Sequence, residues 1–367
     1  MSTTGRVAIL VPNCNPGGTE RVCQRIANYL TDTGHFVLVI GISKQAFPYL
    51  LRCAYESLDT DQIPDSRWRR WKHRMLQLNS YLSKNSITVI LSMGEYPNVM
   101  LSCLPTRYRR VTRYTNSAVS LVGLKGWVMQ QALRFAHRRT DTTIVPVMRL
   151  AQEIGLDQQG GKIVVMPNPL DLDEICGLGA HSPRPLANAE NPFFIHVGQL
   201  VEQKDHDSLL HAYARYRTEG GRYLLLLLGQ GDGEERIRSL ILQLELKDSA
   251  VLMGWVDNPL AFMARARALI MTSRWEGTPN VMIEAMALGC PIISTDCPTG
   301  PREVLQDGTA GRLVPLDDQS ALVEELHRMD KDDQWRDKWS AQARQRAQNY
   351  SINHIGPKLK SILFDRQ

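Results

Sequence analysis

Short, unbroken apolar runs separated by longer amphipathic stretches constrain this chain more than any other feature. In the first half the runs are Val7–Val11, Val37–Ile42, Ile87–Leu91, Thr143–Val145 and Ile163–Met166. In the second they are Phe193–Val197, Tyr223–Leu228, Ala250–Met253, Ala268–Thr272 and Pro291–Ser294. A run that is apolar at every position is a strand buried on both faces, as in a parallel sheet between two helix layers. Amphipathic segments such as Glu20–Thr31, Asp207–Arg217 and Glu234–Leu244 supply the crossovers that parallel strands need. Two such series in succession predict an α/β chain of two Rossmann-like, doubly wound parallel-sheet domains. The seam falls between Pro167 and Pro192, a stretch rich in proline and glycine without sustained helical periodicity. The domains then run 1–170 and 171–349, with a C-terminal helix at about 350–367 packing back on the first.

Charge divides the chain the same way. The net +5 of the 367 residues averages 20 basic and 8 acidic side chains in 1–150 against 23 basic and 30 acidic in 151–367. Opposite signs suggest two domains with different electrostatic partners. Seven cysteines without a Cys-x-x-Cys pair form neither a disulfide framework nor a zinc site, and read as small buried hydrophobes. No apolar run approaches the roughly 20 residues that cross a bilayer, and the first is preceded by a polar start unlike a signal peptide. The expectation is a soluble, cytoplasmic protein.

Several loops sit between a strand and a helix, where ligands bind in such sheets. Gly17 and Gly18 open the first helix, offering close backbone approach and free N–H groups to an anion, or forming a tight turn. Gly229-Gln230-Gly231-Asp232-Gly233 is a similar candidate, although Glu234 occupies the place of the third glycine in the dinucleotide fingerprint. The most informative segment runs from Ser273 to Ala287. Thr278 reads as an N-cap and Pro279 as a first-turn residue, which aims the amides of Thr278, Asn280 and Val281 at the strand edge. Glu276 stands on the loop, and Glu284 interrupts an otherwise apolar helix, where a buried carboxylate needs a partner. Lys204 precedes a helix capped by Asp205 or Asp207, a place suited to a phosphate. Asp59-Thr60-Asp61 has the form of a metal motif but no preceding strand, and reads as loop.

Glu276-x7-Glu284, Gly277 after the first Glu, and Glu284-Ala285-Met286-Ala287-Leu288-Gly289-Cys290-Pro291 together resemble the retaining glycosyltransferases of the GT-B fold. The pattern is that of the family 4-like, group 1 enzymes of bacterial polysaccharide and lipid-linked oligosaccharide synthesis. The match continues through Ser294–Leu305 and takes in Gly17–Arg21, Pro167-Asn168-Pro169 and Gly254–Pro259. The resemblance implies two Rossmann-like domains facing across a cleft, a nucleotide-sugar substrate, UDP favoured, and neither a metal nor a resident cofactor. By position, Glu276 contacts the donor sugar, Glu284 holds the ribose, and Lys204 neutralises the diphosphate. Gly17 and Gly18 close over the phosphates, while Gly254, Trp255 and Val256 hold the base. Gln199 stands where the family has arginine, leaving Arg274 or a first-domain arginine to supply that charge, or a slower turnover without it. The family retains the anomeric configuration by same-face attack, the departing phosphate taking the acceptor's proton.

The acceptor side is read from the first half. Ser66–Met75 carries five basic residues and two tryptophans, followed by Arg107, Arg109, Arg110 and Arg113. Such interleaving suits an anionic membrane surface or a merely solvated basic helix; the donor site argues against nucleic acid. The expected acceptor is a glycan or a polyprenyl-diphosphate-linked sugar, with Arg113 and Asn116 lining its side and the enzyme peripheral on the cytoplasmic face of the inner membrane. A nucleotide-sugar epimerase, or a degenerate scaffold subunit, are the alternatives on the same fold.

Overall fold

The computed structural model describes residues 5–12, 17–60, 64, 66–115, 123–156, 162–181 and 192–365. The chain divides into two compact units, Met1–Pro169 with Ile352–Gln367, and Leu170–Ser351. The first contains β1 (Arg6–Val11), α1 (Gly18–Asp32), β2 (Phe36–Gly41), β3 (Ala54–Ser57), α2 (Arg67–Lys84), β4 (Val89–Met93), α3 (Glu95–Ser102), β5 (Arg109–Arg113), α4 (Gly123–Arg138), β6 (Thr142–Val145), α5 (Met148–Ile154) and β7 (Lys162–Val165). The second contains α6 (Leu172–Ala180), β8 (Phe193–Val197), α7 (His206–Thr218), β9 (Leu224–Leu228), α8 (Glu234–Gln243), β10 (Ala250–Gly254) and α9 (Pro259–Met263). It continues with β11 (Leu269–Met271), α10 (Asn280–Leu288), β12 (Ile292–Thr295), α11 (Pro301–Val304), β13 (Arg312–Val314), α12 (Gln319–Lys331) and α13 (Asp333–Ala347). The last helix, α14 (Ile352–Phe364), belongs to the first unit.

Each unit is built on one sheet, ordered β3-β2-β1-β4-β5-β6-β7 in the first and β10-β9-β8-β11-β12-β13 in the second. Every pairing among these strands is parallel. β1 shows why its run is unbroken. Val7, Ile9 and Val11 pack with Val22, Ile26 and Leu30 of α1 and with Ile355 and Leu359 of α14. Ala8 and Leu10 enter the opposite layer with Leu78 and Leu82 of α2 and with Met100 of α3. β9 divides likewise, Leu226 and Leu228 toward α10 and Leu225 and Leu227 toward α7.

Three strands escaped the sequence reading. β3 and β13 are only four and three residues long, and β5 is mostly polar. β5 reads Arg-Arg-Val-Thr-Arg, yet lies inside the first sheet between β4 and β6. Its arginines therefore do not form an exposed basic surface: Arg110 and Arg113 are buried, and Arg109 donates from Nε to the Ile362 carbonyl of α14 at 3.0 Å. The expected seam also contains a helix, α6, N-capped by Asp171 through the Glu174 amide at 3.0 Å, with Ile175 in the core against α10. Among the described residues, no helix is long and apolar enough to cross a membrane.

Candidate active site

The order of the second sheet reverses beside β8: the chain moves outward to β9 and β10, then returns to β11 on the other side. Loops leaving the carboxyl ends of β8 and β11 therefore flank the switch point, where open α/β sheets bind ligands. The loop after β8 carries Gln199 and Lys204; the loop after β11 carries Arg274, Glu276, Gly277, Thr278 and Pro279.

These two loops are fastened together. Lys204 ends a short 3-10 turn, Glu202–Lys204, and Asp205 follows in the left-handed region at φ 47° while capping α7 through the Ser208 amide. Thr272 Oγ1 donates across to the carbonyls of Lys204 and Asp205 at 3.0 and 2.9 Å. Gln203 Nε2 donates to the Trp275 carbonyl at 2.7 Å, and the Arg274 amide to the Gln203 carbonyl at 2.9 Å. The result brings Lys204 Nζ to 2.6 Å from Glu276 Oε1, a charge-assisted contact between two largely buried side chains. Residues 72 apart in sequence thus form one ion pair at the switch point.

Arg274 is committed elsewhere. Its Nη1 donates to Asp205 Oδ2 at 2.8 Å and to Asp317 Oδ1 at 3.0 Å. The charge missing at Gln199 is therefore not supplied by a free Arg274. A neighbouring cavity of about 690 Å³ is lined by Arg274 and Arg236 with Glu202, Asp205, Asp207 and Asp232. Four carboxylates there make poor surroundings for a diphosphate.

The cap of α10 differs from the sequence reading. The helix begins at Asn280, Pro279 is the N-cap residue, and no side chain caps it. Pro279 has ψ 94°, too extended for the first turn, so Thr278 stands one residue before the cap, its buried Oγ1 without a partner among the described residues. Asn280 and Val281 form the first turn, whose leading amides have no intrahelical acceptor. Gly300, at φ 98°, supports this loop; a Cβ there would lie 2.5 Å from the Gly277 carbonyl oxygen. Glu284 is buried one turn into α10.

The Gly229 loop has a structural use. Gly229 sits at φ 145°, and a Cβ would fall 1.8 Å from the Gly198 carbonyl oxygen. The Gly233 amide donates to the Leu200 carbonyl, and the Leu200 amide to the Gln230 carbonyl, both at 2.9 Å. These glycines let the β9 loop lie directly on the loop leading to Lys204. The Gly229 amide also donates to the Gly254 carbonyl at 2.8 Å. Gly254 is left-handed with open space around it, Trp255 is exposed and Val256 packs against the core. Gln199 is exposed beside them.

Two neighbours of the Lys204–Glu276 pair went unnoticed in the sequence: His196 on β8 and His206 at the start of α7. Their rings meet edge to face at 4.6 Å, both buried, and an added Cβ on Gly198 would touch His196 Nε2 and Lys204 Cε. His196 Nδ1 bonds the Ile270 carbonyl at 2.9 Å, while its Nε2 and both nitrogens of His206 have no hydrogen-bond partner among the described residues. Burial, followed by the positive charge of Arg236 and Lys204, lowers His206 to about 4, and burial with the His206 charge keeps His196 well below its ordinary value. The pair is a neutral floor under the lysine. A histidine inside the apolar run Phe-Phe-Ile-His-Val was the one available signal.

In the first unit Gly17 caps α1 in extended conformation and Gly18 begins it; Asn13–Pro16 and Asn116 lie outside the described residues. Arg113 ends β5, fully buried, with Nη2 donating to the Met166 and Pro167 carbonyls and, at 2.7 Å, to Asn168 Oδ1. Its Nε and Nη1 have no partner and, among the described residues, no carboxylate pairs with it. Burial lowers its guanidinium to about 10. In the basic α2 segment, Trp71 packs edge-on against Tyr96 at 5.5 Å and Arg74 holds Asp59 at 2.7 Å, which gives Asp59 a cation of its own.

Two doubly wound sheets with a lysine–glutamate pair at the second switch point define a GT-B architecture. Comparison with known proteins agrees. The family described as "Glycosyl transferases group 1" matches residues 180–346, and "Glycosyltransferase Family 4" matches 16–174. The chain belongs to the family 4-like GT-B glycosyltransferases. It is 32% identical over 189 residues to N-acetylgalactosamine-N,N'-diacetylbacillosaminyl-diphospho-undecaprenol 4-alpha-N-acetylgalactosaminyltransferase of Campylobacter jejuni, covering 52% of this chain and 50% of that one. The chain thus spans about half the length of that relative. A second C. jejuni enzyme, GalNAc-alpha-(1->4)-GalNAc-alpha-(1->3)-diNAcBac-PP-undecaprenol alpha-1,4-N-acetyl-D-galactosaminyltransferase, is 22% identical across 95% of this chain and 96% of its own. Anabaena Alr3699/HepE in complex with UDP and glucose shares the fold at TM-score 0.82 and 19% identity, over 97% of this chain and 98% of that one.

Proposed function

We propose that the protein is a retaining, metal-independent glycosyltransferase. It moves a sugar from a nucleoside-diphosphate sugar, UDP favoured, to a glycan or polyprenyl-diphosphate-linked acceptor at an anionic membrane surface. The observation that carries this reading is the Lys204–Glu276 pair at 2.6 Å at the switch point of the second sheet. The names of the C. jejuni relatives support the acceptor class, and the UDP of the HepE complex supports the donor.

In this reading the donor diphosphate competes with Glu276 for Lys204. Lys204 and the first amides of α10 stabilise charge developing on the leaving diphosphate by fixed electrostatics. Released from the lysine, Glu276 accepts hydrogen bonds from the sugar, and Glu284 those of the ribose hydroxyls. The bond from the anomeric carbon to the phosphate oxygen breaks and the acceptor oxygen bonds to the same face. The acceptor proton goes to the departing phosphate.

A panel of UDP- and GDP-sugars, incubated with and without lipid-linked acceptors in the presence of EDTA, tests the proposal. Acceptor-dependent release of nucleoside diphosphate with an α-anomer formed from an α-donor is expected. Turnover without acceptor would instead support epimerisation, and no turnover of any donor would support a scaffold.

A further inference from the structure

The first unit carries one helix whose outer face is dressed for something other than water. On α4 the residues Gly126, Leu133, Ala136 and His137 are buried. On its opposite side Leu124, Trp127, Val128 and Phe135 are between 52% and 78% exposed. At about 100° per residue, these four fall within an arc of about 100°, in a stripe about 16 Å long. Apolar side chains scattered singly over a surface need no explanation, but four on one helical face form a contact patch. Met148, at the start of α5, is also exposed.

The charges beside the stripe have one sign. Lys125, Arg134, Arg138 and Arg139 lie on or directly after α4, and no acidic residue occurs from 123 to 140. Arg139 is anchored through Nε to the Ser102 carbonyl at 3.0 Å, with its guanidinium 5.4 Å from the Phe135 ring centroid. Arg134 is anchored to the Ile154 carbonyl at 2.9 Å. A second copy of this face would bring four cations against four. An anionic lipid surface meets both the charge and the apolar stripe. The basic segment of α2 is less suited to insertion: Trp71 is turned to Tyr96, Arg74 is held by Asp59, and the exposed Trp68 and Leu76 are eight residues apart.

We propose that the outer face of α4 is the apolar contact with the membrane, Leu124, Trp127, Val128 and Phe135 entering the acyl boundary while Lys125 meets lipid phosphates. This rests on the peripheral-membrane reading above and assigns its surface. The test is flotation with phosphatidylglycerol-containing and with pure phosphatidylcholine vesicles. It compares the unaltered protein, Trp127→Ser/Phe135→Ser on α4, and Trp68→Ser/Arg69→Ser on α2. The α4 variant should lose binding to anionic vesicles at least tenfold, keep its melting temperature and remain monomeric in sedimentation; the α2 variant should lose less. Brominated lipids should quench the protein's fluorescence, and Trp127→Phe should remove most of that quenching. Loss of binding in the α2 variant but not the α4 variant overturns the assignment while the membrane reading stands. Absence of binding by the unaltered protein overturns both. A dimer that the α4 variant dissociates marks the face as self-association and also overturns the assignment.

Discussion

Replacing Lys204 by Met keeps most of the side-chain stem and removes the ammonium, leaving Glu276 as a buried carboxylate without its cation. The side chains of Lys204 and Glu276 are 14% and 6% exposed, and the contact is 2.6 Å. Removing one member of such a pair costs about 3–5 kcal/mol; the residual exposure of Lys204 places the expectation near about 3 kcal/mol. For a unit of this size, each kcal/mol lowers the melting temperature by about 2–4 °C, so the second unit should melt about 6–12 °C lower. In Lys204→Met/Glu276→Gln no charge is left uncompensated, and most of that loss should return. Scanning calorimetry of the wild type, both single variants and the double variant measures the coupling directly. Catalysis should follow a different pattern: Lys204→Met and the double variant lose about 10²–10³-fold or more in kcat because the fixed charge at the leaving group is gone, and Glu276→Gln loses kcat because the carboxylate that accepts from the sugar is gone. Equal destabilisation in the single Lys204→Met and double variants would refute the reasoning, as would a Lys204→Met protein that melts like wild type.

Gly229→Ala puts a Cβ 1.8 Å from the Gly198 carbonyl oxygen at φ 145°, so the loop carrying Gln199 toward Lys204 has to move. UDP affinity measured by calorimetry should fall at least about tenfold, or about 1.4 kcal/mol; unchanged affinity would separate this loop from the donor site. Acidification should weaken the second unit through His206, which stays neutral in the folded protein down to about 4 but takes up a proton near its ordinary 6.5 when unfolded. Nothing is lost above pH 7. Between about pH 6.5 and 4 the unfolded chain binds the additional proton, and stability falls by up to about 3 kcal/mol. Urea titrations across this window should show a flatter pH dependence for His206→Leu than for wild type, and parallel curves would contradict the assignment.

Legibility in the sequence followed burial. The runs that became β1, β8 and β9 declared themselves because both of their faces meet helices, which favours an apolar residue at every position; His196 in β8 is the buried polar exception. β5 hid because three of its five residues are arginines whose charges are satisfied or sheltered by the fold, Arg109 at α14 and Arg113 against residues 166–168. Thr278 looked like a cap, since Thr-Pro before a helical run has that form, but the extended ψ of Pro279 moved the helix start by one residue.

By itself the sequence determined the class of fold, the two-sheet organisation and the identity of the segment from Ser273 to Leu305, because periodicity, glycine placement and carboxylate spacing are local properties of a chain. Tertiary structure alone decided which of these residues share a site. Lys204 finds Glu276 only because β8 and β11 lie side by side at the switch in strand order, and the neutral pair His196–His206 exists only because α7 starts beneath the same loop. Long-range contacts of this kind are set by packing, which no stretch of sequence carries alone. The same holds for the outer face of α4, whose apolar stripe is functional information only once the fold leaves it uncovered.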